Sequence, residues 1–196
     1  MISPLCRAVV AFCLLAAPLK RSALAAEVFK VFTQPMLISS ERGTVTSYVV
    51  LTDKKRYNFL PPPGWNVNAN ATEKTVTFQS EDLTTTISLK FIADARKTSE
   101  TLRSESTRAE IVARYPDAKL QQAFACHTGA NEGVAFDLER RVEDRPPVSI
   151  RFALVPFEEN MVEFTLTTET RKFAKFHWTL GNLLTSFRVE PTTVVK

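Results

Sequence analysis

The sequence predicts an α+β fold in which a central antiparallel sheet carries helices packed on its faces. Three observations lead there. Apolar and polar residues alternate through Thr84–Ile92, Val134–Leu138, Val148–Leu154 and Val162–Leu166, the period of a strand with one face on a core and one in water. Short turn-forming segments join those runs, such as Asp144-Arg145-Pro146-Pro147 and Glu158-Glu159-Asn160, which suit antiparallel neighbours. Near the end, Phe173, Phe176, Leu180, Leu183, Leu184 and Phe187 recur at spacings of three and four, which puts them on one face of a helix.

The N-terminus has a different character. Arg7 precedes an apolar run from Ala8 to Leu19, 12 residues long, too short to span a bilayer as a helix, which takes about 20. Ala23-Leu24-Ala25 then offers small side chains to a signal peptidase. Residues 1–26 read as an export signal cut after Ala25 or Ala26, although Lys20 and Arg21 put charge after the run. Cys13 lies within the run behind Phe12, which excludes a lipoprotein signal; a buried hairpin helix and the end of a chloroplast targeting sequence are the other readings. The protein is expected to be exported to a periplasmic or extracellular space, or alternatively a thylakoid lumen.

About 170 residues remain, enough for one domain with a sizeable core. Removing Arg7, Lys20 and Arg21 from the 25 basic residues leaves 22 against 21 acidic ones. That balance gives no electrostatic case for nucleic acid, and no later apolar stretch reaches membrane-spanning length. Cys6 and Cys13 leave with the signal, so Cys126 is alone and no internal disulfide forms. It is a buried small hydrophobe in a monomer or a free thiol able to join two chains.

Residues 27–55 form an N-terminal extension, expected to be partly ordered, in which Val45 and Tyr48–Leu51 suit a strand. Tyr57 and Phe59 alternate until Leu60-Pro61-Pro62-Pro63-Gly64 stops the strand. Trp65 and Val67 resume the period, Asn68–Thr72 turns the chain, and Val76 and Phe78 share one face. Ser99 to Tyr115 reads as one helix, with Ser99 as N-cap, Leu102, Ala109, Val112 and Tyr115 inward, and Pro116 as terminator. Lys119–Cys126 is a short strand, Glu132-Gly133 a turn, and residues 190–196 a polar tail. Gly181 inside the last helix suggests close approach to the sheet.

An aromatic strand running into Pro63-Gly64-Trp65, a hairpin, a helix, the meander from Val134 to Leu166, and an amphipathic helix leading into Ser186-Phe187-Arg188 together resemble the PsbP-like superfamily. That family takes in the extrinsic PsbP subunit of photosystem II and the DcrB-type exported proteins. The resemblance covers residues 56–189. It implies an αβα sandwich and a non-catalytic role, binding or helping to assemble other proteins. No residue here matches the family's metal-binding positions, so none is carried over.

The residues alone offer no catalytic constellation, no metal site and no cofactor-binding motif. His127 follows Cys126, but neighbours on a strand point to opposite faces, and zinc takes about four ligands at paired spacing. His177 lies on the last helix between Phe176 and Trp178. Glu81-Asp82 and Glu158-Glu159 fall in turns, where solvated acids are ordinary. Arg140-Arg141 and Lys54-Lys55-Arg56 read as solvated strand ends. The five glycines form no phosphate-cradling loop, and Asn70-Ala71-Thr72 is a glycosylation acceptor only in a eukaryotic secretory pathway. A binding protein predicts an exposed apolar patch or groove; the alternative, a small-ligand carrier or an enzyme, predicts a cavity where polar groups converge.

Overall fold

The computed structural model describes residues 28–39, 43–53, 55–93, 95, 97–141 and 143–191; the export signal expected at 1–26, Lys54 and residues 192–196 lie outside the described residues. In chain order the strands are β1 (Phe29–Ser39), β2 (Gly43–Thr52), β3 (Lys55–Phe59), β4 (Asn66–Asn70), β5 (Thr75–Gln79), β6 (Thr85–Ile92), β7 (Ala118–Thr128), β8 (Asn131–Arg140), β9 (Val148–Phe157), β10 (Asn160–Glu169) and β11 (Arg188–Pro191). The helices are α1 (Ser99–Leu102), α2 (Glu105–Arg114) and α3 (Phe173–Ser186).

The strands build two antiparallel sheets, where the sequence predicted one. The larger has the order β4-β5-β6-β10-β9-β8-β7 and the smaller β1-β2-β3-β11. Residues 27–55 therefore supply two long strands. Pro35 sits in β1, at the rim of the smaller sheet, where a missing N–H breaks no ladder. Glu190 and Pro191 belong to β11, which pairs with Arg56 and Lys55 of β3.

One face of the larger sheet packs into a cluster with the smaller sheet and α3. It joins Phe78, Leu89, Val155 and Phe164 to Tyr57 and Phe59 of β3 and to Phe176, Leu180 and Leu183 of α3. The opposite face joins Val134, Phe136, Leu138, Ile150, Phe152 and Leu154 to Leu102 of α1 and Ile111 of α2. Strands β8 and β9 are thus buried on both sides. The expected wet face is found on β5 and β6, whose Thr77, Thr86 and Ser88 alternate with core residues.

The predicted helix over 99–115 is two helices. Thr98, one residue before the expected cap, accepts from the Thr101 amide and forms a capping box with it. Ser104 then starts α2 in an extended conformation, accepting from the Thr107 amide. These hydroxyls offer the backbone partners outside the helix ladder, and the break changes the phase of the second segment. Thr107 and Ile111 face the core, whereas Ala109 and Val112 are exposed and Tyr115 is half-buried. The hairpin between β7 and β8 turns at Gly129-Ala130, since Thr128 faces Asn131 across it. Gly133, expected in that turn, lies inside β8, where a Cβ would sit 2.2 Å from the Leu154 carbonyl oxygen.

Helix α3 buries Phe176, Leu180, Leu183 and Leu184. Phe173 is half-buried at its start, and Phe187 is the extended residue that ends it. Gly181 makes no close approach, because a Cβ there would have nothing within 4 Å. With helical space free, Gly181→Ala should raise the unfolding free energy by about 1 kcal/mol, measured by urea denaturation. A loss of stability would mean the helix is pressed closer to the sheet than described.

Candidate functional site

The residues singled out in the sequence do not converge. Cys126 is buried and free, while His127 beside it is exposed. Burial pushes the Cys126 thiol up to about 12, so little reactive thiolate exists near neutral pH. At pH 8, labelling of the native protein by an aromatic disulfide reagent should be about a hundredfold slower than after denaturation; equal rates would put the thiol in solvent. The Nδ1 of His177 lies 3.2 Å from the Phe173 carbonyl oxygen, one helical turn back. Asp82 accepts from Lys172 at 2.7 Å and from Ser80 and Thr84, and the Lys172 ammonium holds its carboxyl well below the usual range. Arg140 pairs with Asp117, Arg141 with Glu139, and Lys55 with Glu158. Asn70 is exposed, its side chain accepting from the Thr72 and Glu73 amides. Among the described residues, no group of three or more His, Cys, Asp or Glu is placed to hold a metal ion. No helix among them is long and apolar enough to cross a membrane.

Two features escaped the sequence reading. The first is a largely buried ion pair, with the Arg151 and Asp137 side chains 16% and 8% exposed. Arg151 donates through Nε and Nη2 to the two oxygens of Asp137, both at 2.7 Å, and Gln122 donates to the same carboxylate at 2.7 Å. The guanidinium lies 4.8 Å from the ring centre of Phe124 and 5.1 Å from that of Phe173. A charge removed from water is tolerated when paired, hydrogen-bonded and stacked in this way.

The second feature is the outer face of α3. Trp178 is 68% exposed, among the most exposed large apolar side chains described. Lys175, Trp178 and Asn182 follow one another at spacings of three and four, so they share one strip of the helix. Beside that strip, Leu60, Pro61, Pro62 and Pro63 face Thr179, Asn182 and Ser186 across a mainly apolar cleft of about 290 Å³. Local chain chemistry holds the loop in place. Gly64 takes φ +74°, the Leu60 amide donates to the Ser186 hydroxyl at 3.0 Å, and Trp65 meets Phe176 edge-on at 5.6 Å. From Thr170 to Val189 there are four basic residues and no acidic one. Arg171 and Lys172 pair with Glu169 and Asp82, whereas Lys175 makes no ion pair among the described residues and lies 5.1 Å from the Phe176 ring centre. A signal for Trp178 was present in the sequence: it falls opposite the apolar stripe that defines the helix.

Comparison with known proteins yields structural matches only. No protein-family model matches the chain, and no curated protein matches it significantly. The solution structure of cyanobacterial PsbP (CyanoP) from Synechocystis sp. PCC 6803 is 16% identical and superposes with a TM-score of 0.51, covering 89% of this chain and 100% of that one. LpqN of Mycobacterium tuberculosis, described as involved in cell envelope biogenesis, is 6% identical with a TM-score of 0.46, over 82% of this chain and 92% of that one. The Ran-binding protein Mog1p of Saccharomyces cerevisiae is 10% identical with a TM-score of 0.45, over 81% and 96% respectively.

Proposed function

Starting from the PsbP-like fold that this chain shares with cyanobacterial PsbP, we propose that it is a non-catalytic binding or assembly protein acting through contacts with another protein. The observation that carries this reading is Trp178, held out on α3 beside an apolar cleft. Exposed aromatic anchors next to small clefts are the kind of feature that dominates protein interfaces. The acid-free helix and Lys175, which makes no ion pair among the described residues, favour an acidic partner surface, which would raise the association rate and make it salt-sensitive. The apolar run Ala8–Leu19 and the small residues at Ala23 and Ala25 support action outside the cytoplasm after removal of residues 1–26.

The test is affinity capture from extracts of the native host on immobilised wild type and Trp178→Ala, followed by titration of the captured partner. Trp178→Ala should weaken that partner by about 30-fold, corresponding to an anchor worth about 2 kcal/mol, with an unchanged melting temperature. Equal affinity for both proteins would remove this face from the interface.

A further inference from the structure

Beyond the first turn of α3, the sheet face that is apolar beneath the helix becomes polar. Lys119, Glu139 and Ser149 oppose one another across β7, β8 and β9, and Gln122, Asp137 and Arg151 form the next row. Two clefts, a mainly polar one of about 560 Å³ and a mainly apolar one of about 370 Å³, open over this end of the sheet. Gln121 and Glu139 line both of them, so together they make one furrow ending at Phe173.

Three observations distinguish the furrow from a merely solvated strand end. Asp137 lines it although its side chain is only 8% exposed. Arg151 and Gln122 fill three of the roughly four acceptor positions of that carboxylate and fix its orientation, so one acceptor is left for an incoming hydroxyl. The β7–β8 register shifts between Leu120 and Gln122. A bulge of this kind re-aims a side chain, and here the extra residue is Gln121, which offers both an amide donor and an acceptor. Finally, Ser149 donates to the Thr170 hydroxyl at 3.0 Å, where the furrow meets α3.

The charges balance. Glu139 is paired with Arg141 at 2.6 Å and Asp117 with Arg140 at 3.4 Å. An ionic ligand would meet its own sign as often as its opposite, and an apolar one would leave the remaining acceptor of Asp137 and the Gln121 amide without partners. A ligand whose neighbouring groups both donate and accept satisfies the lining, and its C–H faces suit the ring of Phe173. We propose that this furrow binds an uncharged polyhydroxylated ligand, a short neutral oligosaccharide. The inference rests on a different surface from Trp178 and stands or falls apart from the protein-binding reading.

The experiment is a two-dimensional amide NMR titration of the intact protein with maltotriose, cellotriose and triacetylchitotriose, and with glucose 6-phosphate as a charged comparator. At least one neutral trisaccharide should give saturable shifts at Lys119, Gln121 and Glu139. Gln121→Ala, an exposed substitution at a sheet edge, should weaken that response about tenfold at an unchanged melting temperature, and Trp178→Ala should leave it intact. No shift with any trisaccharide at about 10 mM, far above the millimolar affinity of even weak specific ligands, overturns the proposal. So do shifts confined to other surfaces, or a response to glucose 6-phosphate alone.

Discussion

Phe187→Ala is expected to lower the unfolding free energy by about 4 kcal/mol, in the middle of the range for a buried phenylalanine. Phe187 is 1% exposed. Its ring stacks on Phe59 at 5.3 Å and 6°, meets Phe164 edge-on at 5.1 Å, and lies 5.7 and 5.8 Å from Phe157 and Tyr57. Those partners come from both sheets, so the ring fills the space where β3, β9, β10 and the end of α3 meet. The cavity left behind cannot collapse without moving elements held by their own ladders, which keeps the cost high. Urea denaturation monitored by circular dichroism measures it; a change below about 1 kcal/mol would mean the ring is far less enclosed than described.

Asp137→Ala should cost about 3 kcal/mol, the lower end for a buried pair, because Arg151 would be left largely buried without its counter-charge. The size of that loss does not measure what the pair contributes. Replacing both partners together, as in Asp137→Leu with Arg151→Met, should cost far less, since apolar groups of similar volume avoid the desolvation that the pair must offset. A double variant as unstable as the single one would show that hydrogen bonds from Gln122 and stacking on Phe124 and Phe173, rather than an orphaned charge, set the cost.

Much of the fold is legible in residue order, because its strands and its last helix have strong local periods. Ile87, Leu89 and Phe91 alternate as they should on β6, and the spacing of Phe176, Leu180 and Leu184 predicts their burial on α3. The second sheet is not legible in the same way, because nothing local tells Val189 that its neighbour is Tyr57, more than 100 positions earlier. The same limit hid the double burial of β9. Its Val148, Ile150, Phe152 and Leu154 suggest one inward face, but Ala153, Val155 and Phe157 are also buried. Read as an outward residue of that alternation, Arg151 gives no hint of its buried partner. Within 98–104, four hydroxyl residues compete to cap, and only tertiary packing decides between Thr98 and Ser99. Of the candidate surface, Trp178 is deducible from the helical wheel. The cleft beside it and the polar furrow depend on loop and bulge geometry that periodicity does not encode.

The pairing of β11 with β3 has a consequence for how the chain reaches its native state. The smaller sheet is completed by residues 188–191, and the aromatic cluster is closed by Phe187. The larger sheet also waits on distant sequence, since β6 finds its second partner only when β10 has been made. Contacts of such long range fold slowly, because loop-closure entropy is lost before burial compensates for it. Until Phe187 and residues 188–191 are in place the core stays open, so cooperative folding waits on strands drawn from the whole span between β1 and β11.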